Sequence, residues 1–225
     1  MGRGLFVTGT DTGVGKTLVA CALLRAFASS GKSVAGMKPV EAGGAEGRCS
    51  DVDALVGAST VRAPGKIVNP YAFGPAIAPH IAADLAGARI EIEAIARAYD
   101  ELSRRAEIVV VEGVGGFLVP LNARETGADL ARRLGLPVVM VVGMRLGCLN
   151  HALLTRKQIQ ISGLRCAGWV ANCIVPELPH LEANIRALEE RLECPMLGVV
   201  PFQSDPDSAK AAAFLALEPL MEATA

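Results

Sequence analysis

The chain has 225 residues, 51% of them hydrophobic and 20% charged, with a formal net charge of −1. That length buries a real core as one generous domain or two small ones, and that composition excludes a disordered chain. Arginine pairs at 104–105 and 132–133 fall short of the basic stripe that nucleic-acid binding requires. In chain order, short β-branched runs predict strands over residues 4–8, 33–37, 108–111, 138–142, 166–170 and 196–200. Helical patterns separate them over 18–28, 92–104, 128–134, 150–161 and 180–192, with a last helix over 208–221. Such alternation predicts an α/β fold: a mostly parallel sheet with helices on both faces, in a single domain over 1–225. Residues 38–79, rich in Gly, Ala and Pro, read as inserted loops beside the site. The longest apolar stretch, 134–143, is half the ~20 residues of a membrane span and contains Pro137, so no membrane association is expected. No signal segment opens the sequence, and Phe6 stands where a myristoylation signal needs Ser or Thr. Six cysteines (21, 49, 148, 166, 173, 194) without metal spacing read as reduced thiols in a cytoplasm.

The most informative segment is 6–17, Phe-Val-Thr-Gly-Thr-Asp-Thr-Gly-Val-Gly-Lys-Thr. An apolar strand feeds a Gly-rich turn, then Gly15-Lys16-Thr17, then an amphipathic helix; together these make a P-loop, though not quite of the standard pattern. Its backbone N–H groups and the helix N-terminus form a concavity suited to a polyphosphate. Lys16 can reach the β- and γ-oxygens, and the Thr17 hydroxyl can hold Mg²⁺. Five residues separate Gly9 from Gly15 where the usual loop has four, and Thr10 occupies the usual first-glycine position.

Ligands of such sheets bind beyond the carboxyl ends of the strands, which makes the residues there the candidates for chemistry. Lys38-Pro39 follows the second strand and puts a rigidly held lysine on the P-loop side. Glu112-Gly113-Val114-Gly115-Gly116 follows the third, and Glu112 stands where a P-loop enzyme needs an outer carboxylate for Mg²⁺. Asp51 and Asp53 form a second carboxylate pair before a short helical segment that either could cap. After the fourth strand, Leu146-Gly147-Cys148-Leu149-Asn150-His151 is a glycine turn entering a helix, able to offer N–H groups to a carboxylate. His151, in a first helical turn, and His80, after Pro79, each read as either catalytic or structural, with the structural role the commoner one; His180 has no supporting context, and no Ser–His–acid order supports a nucleophilic triad.

Taken together, these segments resemble the dethiobiotin synthetase family over nearly the whole chain. The likeness runs through 7–17, 36–40 (Gly-Met-Lys-Pro-Val), 53–55 (Asp-Ala-Leu), 69–73 (Asn-Pro-Tyr-Ala-Phe) and 78–81 (Ala-Pro-His-Ile). It continues through 111–116 (Val-Glu-Gly-Val-Gly-Gly), 146–155 (Leu-Gly-Cys-Leu-Asn-His-Ala-Leu-Leu-Thr) and 167–172 (Ala-Gly-Trp-Val-Ala-Asn). The resemblance implies ring closure of 7,8-diaminononanoate with CO₂ through a carbamate that MgATP phosphorylates. It implies catalytic roles for Lys16, Lys38 and Thr12, with Mg²⁺ held by Thr17, Asp53 and Glu112. Asp51, two residues from Asp53, stays open as the metal ligand. Nucleotide contacts would come from Gly13, Val14, Gly15, Lys16, Thr17 and Leu18, and from Asp53, Glu112, Gly113, Val114 and Gly115. Asn172 and the segment Pro201, Phe202 and Gln203 would read adenine, with Asp207 a weaker candidate. Substrate contacts would come from Lys38, Ala42, Pro79 and the turn Gly147, Cys148, Leu149, Asn150. That turn would reach the site of a partner subunit, implying a homodimer.

Three departures stand out: Ala42 where the family often has Ser or Thr, Gly13 where some members are acidic, and Cys173 where some have Asp. Losing one hydrogen bond at Ala42 is worth about 0.5–1.5 kcal/mol of substrate binding. The alternative is a nucleotide-switch ATPase of the Min and Par type. Those carry a signature lysine where this chain has Asp11, and membrane-binding members end in a basic helix, whereas 215–225 contains no Lys or Arg.

Overall fold

The computed structural model describes residues 3–43 and 51–223; Cys49, the segment 44–50 of the expected loop region, and Met1-Gly2 lie outside them. Strand β1 (Arg3–Gly9) runs through the P-loop into α1 (Lys16–Ser29) and returns as β2 (Val34–Met37). After α5 (Ile92–Ser103) come β5 (Ile108–Gly116), α6 (Gly127–Leu134), β6 (Val138–Met144), α7 (Cys148–Ile161), β7 (Cys166–Cys173), α8 (Leu181–Leu192) and β8 (Met196–Val200). The six strands form one parallel sheet in the order β2-β5-β1-β6-β7-β8. β1 therefore lies between β5 and β6, with Phe6 level with Val111 on one side and Val138 on the other. Successive strand residues face opposite sides. Phe6, Val111, Met140 and Trp169 pack beneath α5 to α8, while Leu5, Val7, Val110 and Val141 pack beneath α1. On α1, Leu23, Leu24 and Phe27 are fully buried, each contributing about 1.5–3 kcal/mol by leaving water.

Local rules set several boundaries. Thr126 and Asp129 form a capping box at the start of α6, and Gly135 (φ 64°) ends it in the left-handed conformation. Gly147 (φ 94°) starts α7 two residues before the expected 150, because only the glycine turn determines where the helix can begin. Among the described residues no helix is long and apolar enough to cross a membrane.

Three expectations need correction. The third strand does not stop at Val111 but continues through the glycines to Gly116, because β1 pairs with it at Val7–Glu112 and again at Gly9–Gly116. Residues 38–79 are not merely loops: β3 (Val40–Ala42) pairs in parallel with β4 (Tyr71–Phe73), and α2 (Asp51–Ala58) and α3 (Gly65–Val68) accompany them. A further helix, α4 (Pro79–Leu85), begins at Pro79, where a missing N–H costs nothing. The last helix, expected over 208–221, is two short ones, α9 (Ser208–Ala212) and α10 (Glu218–Ala223). Between them Ala216 N donates to Leu197 O on the sheet edge (2.7 Å), and Pro219 sits in the first turn of α10.

At the amino end of β5, Glu107 accepts from Ser33 N (2.9 Å), Ser33 Oγ (3.1 Å) and Lys32 Nζ (3.0 Å). The Ser33 backbone bond first, then Lys32, pull its carboxyl down to about 2 from the ordinary 4.5. A depressed carboxyl stabilises the fold above its unfolded value, and that share is lost as pH falls toward the folded one. Glu107→Gln is thus expected to lower the melting temperature at pH 6 but to converge with the parent between pH 4.5 and 2. A constant offset in melting scans across that range would show that the Glu107 charge is not the source of the stability.

Candidate active site

The P-loop is shaped by its glycines and braced from a distant strand. Gly13 (φ 72°) and Gly15 (φ 85°) adopt left-handed conformations that a side chain resists. Asn172, at the end of β7 and 3% exposed, donates through Nδ2 to Val14 O (2.8 Å). A Cβ on Gly15 would lie 2.1 Å from that same nitrogen. Asn172 is therefore a strut beneath the loop. Thr10 N donates to Val141 O (3.0 Å), tying the loop's start to β6.

Lys38 emerges from the fully buried β2 and is held through its backbone: Lys38 N donates to Val68 O (2.9 Å), and Asn69 Nδ2 donates to Lys38 O (2.6 Å). Its side chain, 4% exposed, places Nζ 2.5 Å from Glu112 Oε1 and 2.6 Å from Asp51 Oδ2. Thr17 Oγ1 lies 2.9 Å from Glu112 Oε1 and 2.9 Å from Asp51 Oδ1. One hydroxyl proton serves only one of these acceptors at a time. Burial alone would lower the Lys38 pKa, but Glu112 and Asp51 outweigh it and raise it, so the ammonium keeps its proton. Burial also lowers Lys16, with Glu112 opposing; Lys16 Nζ donates to Asp11 O (3.1 Å). Burial pushes Glu112 up, with Lys38 pulling back, while for Asp51 the Lys38 charge and bond overcome burial and hold it low.

These groups line one cavity of about 340 Å³, together with Thr12, Gly13, Gly15, Ala42, Val114 and Gly115. Such a volume suits a small-molecule ligand. The structure brings Lys16, Thr17, Lys38 and Glu112 together as expected, but the aspartate that joins them is Asp51. Asp53 is exposed two residues along α2, and helix residues i and i+2 do not share a face. Pro79 is buried at the start of α4, and Leu18 is half-buried in the first turn of α1. Pro201 and Phe202 are exposed beyond β8, and the buried Gln203 Nε2 has no hydrogen-bond partner among the described residues. Asp207 caps α9, its Oδ1 accepting from Ala209 N (2.8 Å), which occupies the carboxylate expected as a weak base contact.

The turn 147–150 does not line this cavity, but Arg145, two positions before it, reaches the loop. Arg145 pairs with Asp11, whose Oδ1 also accepts from Thr12 N (2.8 Å). The partners are 134 positions apart, so neither carried a signal that sequence reasoning could have used. Both side chains are more than a third exposed (41% and 44%), and such pairs contribute about 0–1 kcal/mol. Arg145→Met is accordingly expected to raise the KM for ATP by at most about fivefold with kcat unchanged. A fall in kcat at saturating ATP would place Arg145 in the chemistry instead.

A parallel sheet with a Gly-Lys-Thr loop leading into α1, and a carboxylate on the adjoining strand, defines a P-loop nucleotide-binding protein. The model of the AAA domain family matches residues 3–210. The chain is 55% identical over 208 residues to the ATP-dependent dethiobiotin synthetase BioD of Nitrosospira multiformis, covering 92% of each. It is 50% identical over 220 residues to that of Pseudomonas paraeruginosa, covering 96% of each. The chain belongs to the ATP-dependent dethiobiotin synthetase family, and with it to the ATP-dependent ligases. Among solved structures its fold is similar to the septum site-determining protein MinD complexed with Mg-ADP from Pyrococcus horikoshii (TM-score 0.55, 16% identity, 100% and 91% coverage). It is also similar to the ParA family ATPase from Chlorobium tepidum (TM-score 0.55, 14% identity, 100% and 91% coverage). At such identities the likeness is one of fold alone.

Proposed function

We propose that this chain makes dethiobiotin from 7,8-diaminononanoate, CO₂ and MgATP in the cytoplasm, through a carbamate that ATP phosphorylates before the second amine closes the ring. The observation that carries the reading is the convergence of two buried lysines and the Thr17 hydroxyl on one cavity. A carbamate oxygen attacking a γ-phosphate brings two anions together, so the site must supply fixed positive charge. Lys38 is suited to the carbamate side because its neighbours keep it cationic, which rules it out as a neutral base at pH 7. Lys16, at the foot of the loop, is suited to the phosphate side. Thr12 and Gly115 face each other across the mouth, where the nucleotide and substrate would meet. The unpartnered Gln203 Nε2 supports base reading by the segment 201–203.

The donor set also fits Mg²⁺. Glu112 Oε2 is buried with no hydrogen-bond partner among the described residues, leaving acceptor capacity on that carboxylate. Among the described residues no cluster of three His, Cys, Asp or Glu side chains is able to hold a metal ion. Mg²⁺, however, needs only one or two carboxylates beside phosphate oxygens and water. Thr17, Asp51 and Glu112 would hold it, and when bound it neutralises and orients the β- and γ-phosphates.

A homodimer is part of the proposal. Leu146 is 95% exposed at the tip of the β6–α7 turn, and Leu154 and Ile161 are exposed along α7. These would seat on a partner, and the turn Gly147 to Asn150 would then present its N–H groups to the diamine's carboxylate across the interface.

The test is ADP release with MgATP and bicarbonate, with and without 7,8-diaminononanoate, and product mass. Release only with the diamine, and a product heavier by one CO₂ less one water, supports the reading. ATP turnover indifferent to the diamine would return the chain to the nucleotide switches.

A further inference from the structure

A second reactive cluster lies at the opposite end of the sheet from the P-loop. Cys166 is the first residue of β7, and Cys194 stands just before β8. The two strands are hydrogen-bonded neighbours: Trp169 N donates to Pro195 O (2.9 Å), and Trp169 is level with Met196. That pairing brings the two sulfurs to 3.0 Å, with the Cys166 thiol donating to Cys194 Sγ. Both residues are half-buried, as is Cys173, whereas Cys21 and Cys148 are buried. Glu193 turns the chain from α8 into β8 in the left-handed conformation (φ 50°), an uncommon choice for a residue with a side chain. It aims the next side chain, Cys194, back at β7.

We propose that Cys166 and Cys194 are a peroxide-sensitive thiol pair that closes to a reversible disulfide, fastening the edge strand β8 to β7.

The two sulfurs already stand 3.0 Å apart, so closure to a bond of about 2.04 Å brings them only about 1 Å nearer. The two thiols differ in character. The bond from Cys166, then the guanidinium of Arg156, pull the Cys194 thiol below its ordinary value, while burial opposes them. Donating that bond, and burial, push Cys166 up. The carboxyl end of α8 would by itself disfavour an anion at Cys194. Arg156 Nε donates to Leu192 O (2.7 Å), which fixes its positive charge at that helix end. The guanidinium of Arg156, hydrogen-bonded to Cys194, favours a thiolate there and makes Cys194 the nucleophile. Its thiolate attacks one oxygen of a peroxide, giving a sulfenic acid and expelling hydroxide or alkoxide, which takes up a proton. The Cys166 sulfur then displaces the sulfenic oxygen as water: two thiols lose two hydrogens and two electrons, and the peroxide gains them. A dithiol reductant reverses the step by thiol–disulfide exchange.

The experiment treats the full chain with one equivalent of hydrogen peroxide, blocks residual thiols, and maps peptides by mass spectrometry. Expected is a peptide joining Cys166 to Cys194, lighter by two hydrogens, that dithiothreitol restores. Cys166→Ser, lacking the resolving thiol, should instead accumulate a sulfenic acid at Cys194 that dimedone traps. Arg156→Gln should slow both reactions several-fold, a rate effect that a merely structural contact would not produce. The oxidised parent should also melt higher, since the bridge spans residues 28 positions apart in sequence. Recovery of both cysteines as freely alkylated thiols, a bridge to any other cysteine or another chain, or a lower melting point would overturn the proposal.

Discussion

Lys38→Met is expected to lower diamine-dependent turnover by about 10²–10³-fold, the usual loss when one preorganised charge is removed from a reacting centre. The KM for ATP should change little, because the loop, Lys16 and Thr17 remain. The fold should tolerate the change. Without the ammonium, Glu112 and Asp51 face each other 1% and 43% exposed, and Glu112, already pushed up by burial, takes a proton. Lys38→Arg is expected to recover little, since a planar fork does not occupy the point between Glu112 Oε1 and Asp51 Oδ2 that an ammonium fills. Steady-state kinetics beside a melting scan separate these effects. A variant that folds normally and keeps its turnover would remove Lys38 from the chemistry.

The second large effect concerns the two aspartates. Asp51→Asn should raise the Mg²⁺ concentration for half-maximal activity by about 10–100-fold, because it removes a charge 2.9 Å from Thr17 Oγ1 at the phosphate end of the cavity. Asp53→Asn, on another face of α2, should leave it within about twofold, the scale of an ordinary surface change. A magnesium titration of both variants reads the difference directly. If Asp53→Asn gives the larger shift, the metal assignment made from α2 is wrong.

What the sequence made legible follows from range. The P-loop strand, Gly15-Lys16-Thr17 and the position of Glu112 at the end of a Val-Val-Val run are local patterns, and the alternation of strands and helices fixes a parallel sheet. What was not legible depends on distant partners. Three-residue strands such as β3 and β4 have no periodicity to detect and exist because each has the other about thirty residues away. Glycines 113, 115 and 116 read as a loop, yet β1 recruits them into β5. Asp51 and Asp53 carry the same local signal, and only the direction of α2 relative to Thr17 separates them. Pro219, in the first turn of α10, is a local signal of the break after α9, but it stands within a run of helix formers.

The contact between Asn172 and Gly15 has a consequence for how this sequence can change over time. The two positions are 157 apart in the chain, yet the amide of one fills the space where the other's Cβ would stand. Gly15→Ala meets both that collision and a φ of 85°; clearing the collision by also trimming Asn172 leaves the second obstacle and unties Val14. Neither single step nor the pair is neutral, so the route away from glycine is closed from both ends. A loop that looks like a self-contained motif is thus partly written by another strand, and transplanting it into a different sheet without Asn172 would carry the letters and leave the brace behind.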